Sequence, residues 1–139
     1  YYTHVLVGPA SVSLLKMKFP KRRQEVATEF GYPMYAEGLR RAIEFLAPLN
    51  VPIEITENGV ADAEDTLRTE HLRRHLWVLS NAVKDGHDVR SYHHWSLMDN
   101  FEWAEGYSMR FGLHRVDFES QERTLRPSGE VYKAIVGRR

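Results

Sequence analysis

The order of the predicted elements indicates an α/β fold in which crossover helices connect the strands of a parallel sheet. Strands are predicted at residues 1–7, 51–55 and 89–97, and a helix is predicted between each pair. In the middle strand, apolar and polar residues alternate up to the turn at Asn58-Gly59. Glu57 is therefore expected at the carboxyl end of a strand.

The helices are predicted from apolar residues at helical spacing. The first occupies residues 34–46, directly after Pro33. The second should begin at a cap formed by Asp65 or Thr66 and end at Gly86. Its apolar stripe consists of Leu72, Leu76, Leu79 and Val83. A last helix is expected to open at Pro127-Ser128 and to turn Val131, Ile135 and Val136 inward.

The distinctive residues of the chain, Glu57 and the segment 95–103, fall at or just beyond the carboxyl ends of successive predicted strands. Barrel enzymes of the (β/α)8 type place their chemistry at this end of the strands. Three strands cannot close such a barrel, so the prediction is a portion of one, with Ile53, Ile55 and Tyr92 on its inward faces. An open three-stranded sheet is the alternative.

Composition excludes several function classes. The 19 basic and 19 acidic residues balance, so no net field would attract nucleic acid or an anionic membrane surface. Cysteine is absent, which excludes disulfides, thiol nucleophiles and thiolate metal sites. We also see no apolar run of membrane-spanning length and no signal peptide, so a cytoplasmic location is expected.

Two segments carry residues suited to binding sugars. Ile55 to Gly59 presents the Glu57 carboxylate just before a turn, and the segment 95–103 places a carboxylate between two indoles, Trp95 and Trp103. Aromatic faces pack against the C–H faces of sugar rings, while buried carboxylates and indole N–H groups require polar partners. A ligand rich in hydroxyl groups would supply them.

Three blocks of the sequence resemble the C-terminal signature of glycoside hydrolase family 1. They are Thr56-Glu57-Asn58-Gly59, the segment from Trp95 to Trp103 that reads WSLMDNFEW, and the segment from Gly106 to Leu113 that reads GYSMRFGL. The resemblance implies that residues 1–139 form the C-terminal fragment of a single (β/α)8 catalytic domain. About the last three strand-helix units of the barrel would be present.

The resemblance also implies a role for each matching residue. Glu57 would be the nucleophile of a retaining β-glycosidase, similar to β-glucosidases, and Tyr2 would orient its carboxylate. In the sugar-binding site, Trp95 would form the platform under the ring, Glu102 would bind the O4 and O6 hydroxyls, and Trp103 would bind O3. Phe111 would line the pocket near O6. A β-glycoside or an oligosaccharide would be the substrate, without a cofactor.

Retention requires a second carboxylate as acid and base, about 5 to 5.5 Å from the first. In family 1 this residue lies in an Asn-Glu pair, which is absent from the chain, and Glu54 should point away from Glu57 or lie too deep. The missing N-terminal part of the barrel is therefore the expected partner. The alternatives are a transglycosylase or glycosyltransferase of the same family and a non-catalytic carbohydrate-binding fragment.

No metal site is expected. His71 and His75 are spaced four residues apart on the second predicted helix, but the stretch lacks the glutamate of the metalloprotease motif. Arg73 and Arg74 between them would repel a cation.

Overall fold

The structure is a computed structural model that describes residues 26–137. The elements of this part of the chain are α1 (Glu37–Leu46), β1 (Ile53–Asn58), α2 (Arg68–Lys84), β2 (Val89–His94), β3 (His114–Val116), β4 (Arg123–Leu125) and α3 (Pro127–Val136). Short 3₁₀ turns occupy Ala47–Leu49 and Trp103–Glu105. The predicted strand at residues 1–7, with Tyr2, lies outside the described residues.

Strands β1 and β2 pair in parallel, and α2 is the crossover between them, as predicted. One face of this pair is covered by α1 and α2. The buried side chains that meet there are Leu39, Ile43, Ile53, Ile55, Val78 and Ala82. Burying an aliphatic side chain of this size stabilises the fold by about 1.5–3 kcal/mol, so this cluster holds the helices to the sheet.

The inward assignment of Ile53, Ile55 and Tyr92 is wrong, because all three pack against the helices. Glu54 and Thr56, which alternate with the two isoleucines, occupy the opposite, exposed face. Alternation in the sequence shows that Ile53 and Ile55 share a face. The choice of face is made by the helices, which bring the apolar surfaces of Leu39 and Ile43 to cover them.

Helix α2 differs from the prediction in its buried face. Of the predicted stripe, Leu72 is fully buried, but Val83 is 48% exposed, and most of the buried residues lie on a neighbouring stripe. The buried residues of the helix are Arg68, His71, Leu72, His75, Val78 and Ala82. Polar residues form part of this face because they contact polar groups of distant segments. The spacing of apolar residues along the helix does not reveal such contacts.

The predicted N-cap of α2 is also wrong. The Asp62 carboxylate accepts the N–H groups of Leu67 and Arg68, at 2.7 and 2.9 Å. Asp65 instead accepts the backbone N–H of Ser128 at 2.8 Å, in the first turn of α3. The end of α2 is as predicted, because Gly86 follows the helix with a φ of +93°, a conformation that favours glycine.

The region after β2 contains structure that the sequence did not predict. Strands β3 and β4 form an antiparallel hairpin that pairs His114 with Leu125 and Val116 with Arg123. Each strand has three residues and mixed polarity, which is too short for an alternating pattern to stand out. Helix α3 begins at Pro127 as predicted.

The predicted inward face of α3 is wrong in its second half. Ile135 and Val136 are 40% and 59% exposed, whereas Ser128 and Gly129 in the first turn are buried. Tyr132 contacts the sheet residue Tyr92, with the ring centroids 6.2 Å apart. The helix is therefore held by its first turn and by this ring.

A buried ion pair joins the loop after β2 to the hairpin and to α3. Arg126 donates to both carboxylate oxygens of Asp99, at 2.9 and 3.1 Å, and to the carbonyl oxygen of Gly112 at 2.7 Å. The N–H of Gly112 and the N–H of Val116 also donate to Asp99. Burial opposes ionisation of Asp99, but the hydrogen bonds from Arg126 and Gly112 outweigh it and lower the carboxyl pKa.

Two buried histidines of α2 lie near His94, which is half-buried at the end of β2. The rings of His71 and His75 stack with centroids 3.8 Å apart, and the exposed fractions of these residues are 4% and 2%. Burial, together with repulsion from the positive charges of His75, His94 and Arg68, lowers the pKa of His71 to about 2. Burial also lowers the pKa of His75 and of His94 to about 4. All three are neutral at neutral pH.

We expect Arg126→Ala to lower the free energy of unfolding by about 3–5 kcal/mol, because the buried Asp99 carboxylate loses its two hydrogen bonds from Arg126 and keeps only the longer contact with Arg110 at 3.5 Å. Lys133→Ala is the matched control, since it breaks the exposed Lys133–Glu130 pair at 3.5 Å and should cost less than about 1 kcal/mol. Urea unfolding followed by circular dichroism measures both. Equal losses of unfolding free energy in the two variants would show that the buried pair contributes no more to stability than the exposed pair.

We also expect the protein to lose stability as the pH falls below about 6.5, the ordinary pKa of histidine. The unfolded histidines bind protons there, while the folded ones bind them only near pH 4 and pH 2. Each histidine then contributes a slope of at most about 1.4 kcal/mol per pH unit. His71→Leu should remove one such contribution from the urea unfolding free energies between pH 6.5 and 4.

Val78→Ala provides the control, because it shortens a buried side chain of the same helix that carries no titratable group; it should lower stability at every pH and leave the pH slope as it is. If His71→Leu also leaves the slope unchanged, protonation of His71 on unfolding does not contribute to acid sensitivity.

Candidate active site

An open cleft of about 720 Å³ lies beside β1 and the loop that follows β2. Every predicted site residue in the described part of the chain contributes to its lining. These residues are Glu57, Trp95, Glu102, Trp103 and Phe111. They come from separate segments, so the fold brings together side chains that are up to 54 positions apart in the sequence, from Glu57 to Phe111.

Glu57 reaches the cleft because the pairing of β1 is irregular near its end. The register with β2 shifts between Ile55 and Asn58. Strict alternation would place Glu57 on the same covered face as Ile55, yet Glu57 is exposed and Asn58 is 5% exposed. An irregularity of this kind re-aims side chains at the end of a strand. It turns the Glu57 carboxylate to the open side.

Glu54 also lines the cleft, and both its side chain and that of Glu57 are exposed. The two residues are three positions apart, which corresponds to about 10 Å along an extended strand. That Glu54 is unsuited to act with Glu57 as the second carboxylate stays a prediction.

The segment Asn58-Gly59 fixes the start of the loop after β2. The N–H of Trp95 donates to the carbonyl oxygen of Asn58 at 3.0 Å. A Cβ atom at Gly59 would lie 1.6 Å from the Trp95 carbonyl oxygen, so only glycine fits. The peptide bond between Trp95 and Ser96 is cis. Glu57 and Trp95 are thus held next to each other by direct backbone contact between the strands that carry them.

Glu102 and Trp103 are presented by a tight turn. The N–H of Glu102 donates to the carbonyl oxygen of Gly106 at 2.7 Å, which closes the turn around Trp103–Glu105. Trp103 is 83% exposed and Glu102 is half-buried. An exposed indole beside a half-buried carboxylate can offer an aromatic face, an N–H donor and a strong acceptor to a polar ring.

Aromatic residues that the sequence did not single out complete the cleft. Phe30 and Tyr32 line it, with their rings stacked at a centroid distance of 5.2 Å, and Phe30 also approaches Phe111 at 6.2 Å. The sequence predicts no helix or strand between residues 8 and 33, so these residues were missed. The only signal was the density of aromatic residues around Phe30, Tyr32 and Tyr35.

His71 and His75 contribute to the inner lining of the cleft. Among residues 26–137, no group of three or more histidine, cysteine or acidic side chains has the geometry of a metal site. No helix in this range is long and apolar enough to cross a membrane. Carboxylates, aromatic rings and imidazoles are among the groups that line the described part of the cleft.

Comparison with known proteins gives consistent matches. The sequence model of Glycosyl hydrolase family 1 matches residues 9–139. A β-galactosidase of Pyrococcus woesei is 40% identical over 78% of the chain, and a β-glucosidase of Agrobacterium sp. is 40% identical over 80%. The crystal structure of a β-glucosidase from Pyrococcus furiosus superposes with a TM-score of 0.81, at 47% identity over 85% of the chain.

These matches cover only part of each known protein. The chain spans 22% and 26% of the two curated relatives and 26% of the crystal structure. The matching structures are (β/α)8 barrels, and the parallel β1–α2–β2 unit is a portion of such a barrel. On the match over residues 9–139, the chain belongs to Glycosyl hydrolase family 1.

Proposed function

We propose that this chain is the nucleophile-bearing part of a retaining β-glycosidase that acts on terminal β-D-glucosyl and related residues. The observation that carries the proposal is the single cleft in which Glu57 meets the half-buried Glu102 and the aromatic rings of Trp95 and Trp103. The names of the relatives, β-glucosidase and β-galactosidase, agree with this substrate class.

In the proposed mechanism, the Glu57 carboxylate attacks the anomeric carbon of the sugar and forms a covalent glycosyl-enzyme intermediate. The leaving group departs with a proton, and water then attacks the same carbon and releases the sugar with its configuration retained. The exposed position of Glu57 at the open side of the cleft supports this role. Tyr2 is proposed to orient the carboxylate; it lies outside the described residues.

The sugar would be held by the other cleft residues. Trp95 would form the platform for the ring, and Trp103 would donate its indole N–H to O3. Glu102 would accept the O4 and O6 hydroxyls through charge-assisted hydrogen bonds. Phe111, which is 9% exposed at the cleft wall, would pack near O6.

The acid and base of the mechanism is proposed to come from another segment. Glu54 lies about 10 Å along β1 from Glu57, and retention needs two carboxylates about 5 to 5.5 Å apart. Glu102 is assigned to hydroxyl groups. We therefore propose that residues 1–139 are the C-terminal fragment of one (β/α)8 catalytic domain and that the N-terminal part of the barrel supplies the second glutamate.

The proposal predicts that Glu57→Gln lowers kcat on the order of a thousandfold or more in the complete enzyme, because the amide cannot form the glycosyl ester. Folding should be little affected, since Glu57 is exposed. Treatment of the unaltered enzyme with a 2-deoxy-2-fluoro glucoside, followed by fragmentation mass spectrometry, should find the sugar on Glu57.

Glu54→Gln is the matched control, because it neutralises the other carboxylate of the same strand and should leave the label on Glu57 in place. A label on Glu54 or Glu102 would contradict the assignment. Residues 1–139 alone should not hydrolyse an aryl β-glucoside with a poor leaving group, since the acid is lacking. Turnover by this piece alone would contradict the division of the two carboxylates.

A second prediction concerns the sugar that is bound. Glu102→Ala should lower kcat/KM for a β-glucoside by about tenfold to a hundredfold, the effect of losing hydrogen bonds to a charged group. Because O4 has opposite orientations in glucose and galactose, the ratio of the two activities should also change. Steady-state kinetics with the two nitrophenyl glycosides measures the ratio.

Glu105→Ala, an exposed glutamate in the same turn and outside the cleft lining, serves as the control and should leave the ratio unchanged. An equal loss on both sugars in the Glu102 variant would count against direct contact with O4.

A further inference from the structure

A partly buried hydrogen bond connects β2 to the residue that follows Glu57. The hydroxyl group of Tyr92 donates to the side-chain oxygen of Asn58 at 2.7 Å. Asn58 is 5% exposed and Tyr92 is half-buried. Since a buried amide that loses a hydrogen bond pays a desolvation penalty, this bond has a strong influence on where Asn58 lies.

Asn58 is held by its backbone as well. Its carbonyl oxygen accepts the Trp95 N–H at 3.0 Å, and the next residue, Gly59, lies directly against the Trp95 carbonyl. The side chain and the main chain of Asn58 are therefore both bound to β2 or to the residue directly after it. Asn58 is the anchor at the end of β1.

Glu57 lies in the part of β1 where regular pairing is interrupted. The register matches Ile55 with Tyr92 and Asn58 with His94, and it shifts between these two pairs. Glu57 lies inside the shifted stretch, so its main-chain position depends on the paired residues on either side. The anchored peptide of Asn58 is the nearer of the two.

From this arrangement we infer that Tyr92 is a positioning residue for the Glu57 carboxylate and acts through the side chain of Asn58. The inference rests on the proposed role of Glu57 as nucleophile. Tyr92 does not line the cleft, so it would not contact the sugar. It would fix the main chain from which Glu57 projects, and small displacements of a reacting group are costly in rate.

The predicted signature is a loss of chemical rate without a loss of binding. Tyr92→Phe should slow the covalent step by about three- to tenfold, which corresponds to one neutral hydrogen bond. The binding constant should stay within about twofold, because the cleft lining is unchanged. The experiment is the time course of inactivation of the complete enzyme by a 2-deoxy-2-fluoro glucoside at increasing concentrations, which gives the two constants separately.

Tyr132→Phe is the matched control, because Tyr132 packs in the same aromatic cluster and the variant also removes one phenol hydroxyl. It should leave the inactivation rate unchanged. A double-mutant cycle with Asn58→Ala then tests the route. If Tyr92 acts through Asn58, Tyr92→Phe should slow inactivation by less than twofold in the Asn58→Ala background.

The outcomes separate this inference from the proposed function. If Glu57 is labelled and Tyr92→Phe reacts at the unaltered rate, the positioning role is wrong while the nucleophile stands. If Tyr92→Phe slows inactivation in the Asn58→Ala background by the same factor as in the unaltered enzyme, the route through Asn58 is wrong. If the unaltered enzyme carries the label on another residue, the proposed function itself fails.

Discussion

The ion pair between Asp99 and Arg126 is the interaction on which the loop side of the cleft depends. Asp99 lies three residues before Glu102, and Arg126 lies fourteen residues after Gly112 along the chain. Both side chains are nearly fully buried, and each also bonds to the backbone of the hairpin region. Burying two charges is costly unless their remaining hydrogen-bonding groups are satisfied. The pair therefore fixes the geometry of the loop. Because Gly112 is bonded to both members of the pair, the position of its neighbour Phe111 is also fixed.

Close backbone contacts extend this constraint to the strand that carries Glu57. A Cβ atom at Gly112 would lie 2.2 Å from the backbone nitrogen of Asp99, and Gly59 meets the Trp95 carbonyl even more closely. At both glycines the two main chains are in direct contact, with no side chain between them. A displacement of one main chain therefore displaces the other. The cleft is thus built on rigid contacts between segments, and a rigid support is what a reactive carboxylate and a sugar platform require.

The sequence predicted the helix-and-strand order well where the signal was local. Apolar spacing identified α1, β1 and β2, and Pro127 marked the start of α3, because these signals depend on neighbouring residues. The polar part of the buried face of α2 was missed, because its partners lie far along the chain. Arg68 is fully buried because it donates to the carbonyl oxygens of Asp62 and Arg110, and Arg110 is 42 positions away. No periodicity in α2 encodes that partner.

By itself the sequence determined the family and the candidate residues, because the blocks around Glu57 and from Trp95 to Trp103 are specific as strings of residues at fixed spacing. Only the tertiary structure decided how they meet. The face on which Ile55 packs, the exposed direction of Glu57 and the aromatic wall at Phe30 all follow from contacts with segments far along the chain. A strand pattern has two equivalent faces, and the sequence of the strand alone cannot choose between them; packing against α1 and α2 makes that choice.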